Sequence, residues 1–332
     1  MNVTTAPSPR RRLLAALVVA GTAALAAVPA AQAQTKKLLI GSTSSSSSHY
    51  GYFVAVSQVV NKGVPGIETS VVETGATMDN LRRMSRGQVD FALVTTNVIA
   101  NANAGKGDFA GKPEKSRLLW IYSIAPQNAV VRKDAGVSSF ADLKGKRFNT
   151  GLKGSATEKT TDAVFALLGI QPEVVRGSTG EIVDAVKDNR VLGYVKSGAG
   201  LKLDASTREI ATFTPITVLG LNAEQQAKIA QAMPELSMVE VPADAGTQLP
   251  AYTTWGFGVA AAAGPELSEE VAYKIVKAVC EDKTVQATAF AETTGVDLAQ
   301  MTLKYASSPL HPGAIRYFKE RGLDIPARLI GN

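Results

Sequence analysis

Three loops gather hydroxyls and glycines just ahead of segments with helical spacing, and the chemistry they suit is the binding of an anion. The first runs from Gly41-Ser42-Thr43-Ser44 through a serine tract to Ser48-His49-Tyr50-Gly51. The second is Thr74-Gly75-Ala76-Thr77-Met78-Asp79-Asn80, and the third is Lys153-Gly154-Ser155-Ala156-Thr157-Glu158. A helix start leaves four backbone N–H groups without intrahelical acceptors and carries the positive end of the helix dipole, so a carboxylate placed there gains donors and a favourable field. Glycine lets the backbone approach a ligand closely. Each loop also has a purely structural reading as a capped helix start, with Thr77 as a cap and Ser155 paired with Glu158 in a capping box. Lys153 offers a charge for an anionic group, although most loop lysines are simply solvated.

Catalytic patterns are scarce. The two histidines, His49 and His311, belong to no H-E-x-x-H or C-x-x-C arrangement, and no acidic cluster suggests a metal, so neither metal nor cofactor is expected. Lys153 and the Gly105 to Lys112 segment both lack phosphate-loop spacing, and Gly256-Phe257-Gly258 lies inside an apolar strand-like run, not at a strand-to-helix turn. No G-x-S-x-G elbow occurs; a hydrolase using a serine of residues 42–48 with His49 is the remaining enzymatic alternative. The lone Cys280 has no internal partner and sits in a stretch with helical apolar spacing, where it reads as a small core residue.

The elements that must hold these loops alternate. Strand-like runs at 37–41, 69–72 and 89–94 are separated by helical patterns at 50–60 and 78–85, an order that makes a largely parallel sheet with helices on both faces. Ligands of such sheets bind beyond the carboxyl ends of the strands, where the loops are. Residues 118–131 form an extended apolar stretch broken at Pro126 and read as a crossing into a second unit. There the pattern repeats, with strands at 147–149, near 174–175 and at 191–195, and helices at 158–168 and 181–187. Residues 252–259 read as the return crossing, and a helical C-terminal third begins near Ser268. The expected division is 34–125 plus 255–332 for one lobe and 126–254 for the other, with the two crossings forming a hinge.

Ahead of all this stand Arg10, Arg11 and Arg12, an apolar run from Leu13, and Ala31-Gln32-Ala33. That layout is a secretory leader with cleavage after Ala33 and a periplasmic destination, by either the general or the twin-arginine route. Removing it takes three arginines and no acids, lowering the formal charge from +6 to +3. No basic cluster with interleaved aromatics follows, so no nucleic-acid partner is expected.

Taken together, the motifs resemble the TAXI class of substrate-binding subunits of TRAP transporters, from about Lys36 to Gly322. The likeness rests on the Ser/Thr loop ending in Tyr50, on Thr74 to Leu81 followed by Arg86-Gly87-Gln88-Val89-Asp90, on Leu143-Lys144-Gly145-Lys146-Arg147 leading to Gly151-x-x-Gly154-Ser155-x-Thr157, and on the closing His311 to Gly322. The resemblance implies a type II-like periplasmic-binding-protein clamshell of two α/β lobes that closes on a small carboxylate, such as glutamate or a 2-oxo acid, and docks onto integral-membrane TRAP subunits. It carries binding roles onto Thr43 to Tyr50, onto Thr74, Gly75, Ala76, Thr77 and Asn80, and onto Gly154, Ser155, Ala156 and Thr157, while His311 belongs to the C-terminal signature's structure. Two segments depart from the family pattern, Thr95-Thr96-Asn97 and Gly193 to Gly200, which places Asn97, Tyr194 and Ser197 at the cleft as candidates for an altered specificity. Tyr50, Tyr194, Tyr252 and Trp255 are the aromatic candidates for the cleft wall, Tyr50 foremost. Other receptor types of the ABC or tripartite tricarboxylate kind, and a receptor feeding a signalling partner, are the alternatives within binding proteins.

Overall fold

A computed structural model describes residues 35–244 and 246–331; the expected leader and its cleavage site lie outside them. The first half of the molecule comprises β1 (Lys36–Gly41), α1 (Ser48–Gly63), β2 (Ile67–Val72), α2 (Thr77–Ser85), β3 (Phe91–Thr95) and α3 (Thr96–Asn103). The long strand β4 (Arg117–Arg132) leads to a second half of β5 (Arg147–Asn149), α4 (Ala156–Leu168), β6 (Glu173–Val174), α5 (Thr179–Lys187), β7 (Gly193–Ser197), α6 (Ala205–Phe213), β8 (Ile216–Leu219), α7 (Ala223–Ala232) and β9 (Ser237–Val241). A second long strand, β10 (Tyr252–Ala263), returns to the first half, where α8 (Glu269–Glu281), α9 (Val285–Ala289), α10 (Leu298–Tyr305), α11 (Pro312–Glu320) and α12 (Ala327–Ile330) follow.

The strand order is β2-β1-β3-β10-β4-β7-β5-β6, with β8 also beside β4 and β9 beside β10. Pairs β1 with β2, β1 with β3, β5 with β6 and β5 with β7 are parallel, whereas every pairing of β4 and β10 is antiparallel. The result is the α/β two-domain fold of periplasmic binding proteins, with a mixed sheet bridged by two shared strands. The predicted break at Pro126 does not occur. Pro126 sits in β4 where its neighbours change: it pairs with Gly256 of β10, and its carbonyl accepts from the Gly198 N–H at 2.8 Å. A residue without an N–H is tolerated where ladder bonding is handed from one partner to another. Gly256 and Gly258 serve the same junction: a Cβ on Gly256 would stand 2.8 Å from the Ala125 carbonyl oxygen, and one on Gly258 2.7 Å from Thr96 Cγ2. Close packing of strand and helix, not cofactor binding, accounts for that glycine pair.

The core explains why α1 is held so firmly. Its buried face, Tyr52, Phe53, Val56, Val59 and Val60, follows the helical period. Tyr52 stacks on Tyr122 of β4 with ring centroids 3.7 Å apart, donates to Gln286 Oε1 at 2.7 Å and accepts from Trp120 Nε1 at 2.8 Å. Each such fully buried aromatic contributes roughly 1.5–3 kcal/mol, so the start of α1 is fixed against the sheet before any ligand arrives. At the opposite end of the chain, His311 caps α11: its Nδ1 accepts from the Gly313 N–H at 3.2 Å, and its Nε2 lies 2.9 Å from the Leu267 carbonyl. His311 is therefore built into the structure of the C-terminal region.

Candidate functional site

A cavity lies between the two halves, at the carboxyl ends of β1, β3, β5 and β7. About 40 Å³ of it admits the centre of a water-sized molecule, room for roughly three such groups or one small solute. The first half supplies Thr43, Ser47, His49, Ala76, Thr77, Leu93, Thr95 and Val259; the second supplies Leu152, Ser155, Ala156, Thr157, Val195, Lys196 and Ser197. Four helix starts open onto it, because Ser47, Ala76, Thr95 and Ser155 are the N-caps of α1, α2, α3 and α4. Their dipoles add a positive potential that neutral side chains cannot cancel.

These helix starts differ in how they are satisfied. Ser47 and Ser155 cap their own helices, accepting from the N–H groups of His49 and Glu158. Ala76 has no side chain able to cap and stands at φ 64° and ψ −149°, a conformation suited to glycine. Its N–H is taken by Thr74 Oγ1 at 3.1 Å. Thr77 is thus the first helical residue and not the cap. Its Oγ1 is buried and has no hydrogen-bond partner, and the same holds for Thr95 Oγ1 at the start of α3. Ser42 Oγ, Asn97 Oδ1, Thr161 Oγ1 and Trp255 Nε1 are also buried without a partner, but of the six only Thr77 and Thr95 belong to residues that line the cavity, where a solute can meet the cost of an unpaired hydroxyl.

The cavity contains one cation. Lys196 Nζ lies 3.6 Å from Asp204 Oδ1 and donates to Ser47 Oγ at 3.3 Å. Asp204, the N-cap of α6, is fully buried and accepts through Oδ2 from Ser47 Oγ at 3.0 Å and the Ser48 N–H at 2.8 Å, while Ser48 Oγ accepts from the Ala205 N–H at 2.9 Å. Two helix starts from opposite halves therefore meet head to head, with one carboxylate between them. Burial pushes the Asp204 carboxyl upward, but Lys196 and the donors around it outweigh burial and hold it below the usual carboxylate range. His49 makes the neighbouring bridge: Nδ1 is 2.9 Å from Tyr122 Oη and Nε2 is 3.1 Å from the Gly198 carbonyl. A carbonyl only accepts, so Nε2 carries the proton and Nδ1 accepts from Tyr122. Burial, opposed by Asp204, lowers the His49 pKa to about 4, and the ring is neutral at neutral pH.

Of the residues the sequence singled out, Thr43, His49, Ala76, Thr77, Ser155, Ala156, Thr157 and Ser197 line the cavity. The hydroxyls of Thr157 and Ser197 lie 2.9 Å apart and within 2.8 and 3.1 Å of Gln127 Oε1, so their two protons are shared among three contacts. Others hold the loops in place. Asn80 donates to the carbonyls of Ser42 and Leu93, both at 2.8 Å, and accepts from Thr74 Oγ1 at 2.7 Å, tying the ends of β1 and β3 to the second loop. Ser48 belongs to the contact with α6, and Asn97 donates across the halves to Thr160 Oγ1 at 2.9 Å. Ser44, Thr74, Gly75 and Lys153 lie along an outer groove beside Arg83 and Arg176. Gly154 gives its carbonyl to the Met78 N–H of the facing helix at 3.2 Å.

The aromatic wall is not found. Tyr50 is half-buried on α1, turned about a third of a revolution from His49, and does not line the cavity. Tyr194 is buried and its Oη lies 2.7 Å from Thr207 Oγ1, supporting the first turn of α6. Trp255 packs in the core against Phe140, and Tyr252 donates to Asn128 Oδ1 at 2.8 Å. The capping box is also altered: Ser155 Oγ accepts from Glu158 N–H as expected, but the Glu158 carboxylate reaches the Gly154 N–H at 2.8 Å and Arg176 at 2.9 Å. Thr95, Lys196 and Asp204 are not singled out by the sequence, and Ser47 is included only as part of the Thr43 to Tyr50 loop. Asp204-Ala205-Ser206 was a readable helix-start pattern, whereas the N-cap within a run of five serines carries no signal that separates Ser47 from Ser48. Among the described residues no cluster of His, Cys, Asp and Glu is placed to hold a metal, and no helix is long and apolar enough to cross a membrane.

This geometry can be set against known proteins. The profile of the NMT1-like family matches residues 40–322, which spans the cavity and both halves. The chain belongs to the NMT1-like family. Among solved structures, this NMT1-like protein is similar to a putative L-cystine ABC transporter protein from Listeria monocytogenes, with 14% identity over 77% of this chain and 95% of that one and a TM-score of 0.50. It is similar to the same degree to an amino acid ABC transporter substrate-binding protein from Streptococcus pneumoniae bound to L-arginine, with 16% identity, the same coverage and a TM-score of 0.50. At such identities the likeness is one of fold.

Proposed function

We propose that this NMT1-like protein is an exported, non-catalytic receptor that captures a small organic acid or amino acid of the glutamate or 2-oxo-acid kind and delivers it to the membrane subunits of a TRAP transporter, as the TAXI resemblance implies. Residues 34–125 with 255–332 form one lobe and 126–254 the other, hinged on β4 and β10. The observation that carries this reading is the pair of buried, partnerless hydroxyls of Thr77 and Thr95 at two helix starts on a cavity closed by both halves. In this reading the solute's carboxylate takes those hydroxyls, the helix N–H groups and Lys196, and the loop at Gly154 and Ser155 closes over the other end. A ligand that favours the closed state shifts the equilibrium by its differential affinity for that state.

His49 weighs against the hydrolase alternative. Both ring nitrogens are engaged, by Tyr122 and the Gly198 carbonyl, so no lone pair is free to take a proton from a serine. The test is a thermal-shift screen of the mature chain, refolded to remove any solute carried through purification, against amino acids, 2-oxo acids and simple carboxylates. A solute that binds only the native state raises the melting temperature by mass action. A rise with a carboxylate that shrinks in Thr77→Val supports the reading; no rise with any acid contradicts it.

A further inference from the structure

Resting on the receptor reading, we propose that the cavity selects oxyanionic solutes that carry no ammonium group, so that it accepts 2-oxo acids, hydroxy acids or plain carboxylates and rejects amino acids. Binding an α-amino acid needs two opposite features side by side, donors for the carboxylate and an acceptor of negative charge for the ammonium. Only the first is present. Among the described residues lining the cavity there is no carboxylate, and the one charged side chain is Lys196.

Asp204 stands behind Lys196 and has no capacity left. Its Oδ2 accepts from Ser47 Oγ and the Ser48 N–H, and its Oδ1 accepts from the Ser206 N–H at 3.1 Å and Ser206 Oγ at 2.7 Å, with Lys196 beside it. A carboxylate has about four lone-pair sites, so these contacts fill them. Lys196, by contrast, has three N–H donors and spends one on Ser47, its charge facing Asp204 at 3.6 Å without a hydrogen bond, which leaves donors for a solute. His49 is neutral with both nitrogens occupied and offers an ammonium nothing. The Gly154 carbonyl accepts from the Met78 N–H, and Gly154 is not among the residues lining the cavity. Thr77 Oγ1 and Thr95 Oγ1 can donate to an oxyanion, but an ammonium in their place would face four helix N-termini and a lysine. The hydroxyls of Thr43, Ser155, Thr157 and Ser197 are neutral and supply no counter-charge to an ammonium, and the apolar part of the wall, Leu93, Leu152, Val195 and Val259, suits carbon.

The experiment is calorimetric titration of the refolded mature chain with matched pairs that differ only in a keto group against an amine: pyruvate with L-alanine, 2-oxoglutarate with L-glutamate, and 2-oxoisovalerate with L-valine. The oxo acid of whichever pair fits should bind at least about 100-fold more tightly, because an ammonium would be buried without a partner. An amino acid binding within about 10-fold of its oxo-acid partner overturns the selectivity while leaving the receptor reading standing. If no member of any pair binds, and neither acetate nor propanoate does, the receptor reading fails and this inference with it. As a second arm, Lys196→Met removes the cation and leaves the Asp204 charge without its counter-ion, so the oxo-to-amino ratio should shrink at least about 10-fold; an unchanged ratio overturns the assignment.

Discussion

The helix starts of α2 and α4 face each other across the cavity and look alike in sequence, Gly75-Ala76-Thr77-Met78-Asp79 against Gly154-Ser155-Ala156-Thr157-Glu158, and in each the acidic residue holds the glycine N–H and is braced by an arginine, yet their caps differ. At α4 the polar groups are matched within the protein: Ser155 caps the helix, Glu158 holds the Gly154 N–H, and Arg176 braces Glu158 while also binding Thr150 Oγ1 and Asp162. At α2 Asp79 likewise holds the Gly75 N–H at 3.0 Å with Arg83 behind it at 2.8 Å, but there is no side-chain cap, the backbone of Ala76 is held at positive φ, and the hydroxyl of Thr77 is left open. One wall is a finished clamp and the other is a site awaiting a partner. A self-satisfied loop contributes stability, and an unsatisfied one contributes binding.

The joint between the walls gives the largest expected effect. His49 crosses to the Gly198 carbonyl in its neutral form, with its pKa lowered from 6.5 to about 4. Above pH 6.5 it is neutral folded or unfolded and has no pH effect; as pH falls from 6.5 toward 4 the unfolded chain binds a proton that the folded chain refuses, so stability is lost across that window. The loss amounts to about 3 kcal/mol, and urea unfolding of the parent against His49→Gln at a series of pH values should show this share in the parent only, while His311, whose pKa burial also lowers, contributes its own loss in both proteins.

Within the finished clamp, Glu158→Ala leaves the Gly154 N–H unpaired and should cost about 2 kcal/mol in chemical unfolding, the partly exposed Arg176 keeping Asp162 as an alternative partner. On the open wall the sign reverses. Thr77→Val removes a buried hydroxyl with no protein partner, so the unliganded chain should be no less stable, while solute affinity falls about 10-fold in a direct titration. The smallest effect is Ala76→Gly, which relieves the positive φ and should raise the unfolding free energy by about 1 kcal/mol. A loss of stability there would mean that the comparison between the two helix starts is drawn wrongly.

Much of this was readable in the sequence, and the rest was hidden for identifiable reasons. Alternating apolar runs and glycine-rich turns located the strands and the loops that carry Thr43, Thr77 and Ser155, because helix starts leave local signatures. The end of β7 fell at Ser197 and not near Val195, since periodicity marks an element's centre better than its ends. Lys196 and Asp204 gave no joint signal, because their pairing depends on the loop after β7 folding back to set the start of α6 beside that strand. Tyr50 was favoured for its chemistry, but the register of α1, set by Tyr52 and Phe53 facing the core, turns it away from the cavity. Residue type indicates what a side chain can do; the register of a helix decides where it does it.

The most direct measurement is a calorimetric titration of the refolded mature chain and of the Thr77→Val/Thr95→Val double variant with the same carboxylate, together with their unfolding midpoints. The expected result is saturation at one solute per chain in the parent and affinity at least about 100-fold weaker in the double variant, with its midpoint preserved. Equal affinity in the two proteins would contradict the claim that these two hydroxyls exist to meet a solute.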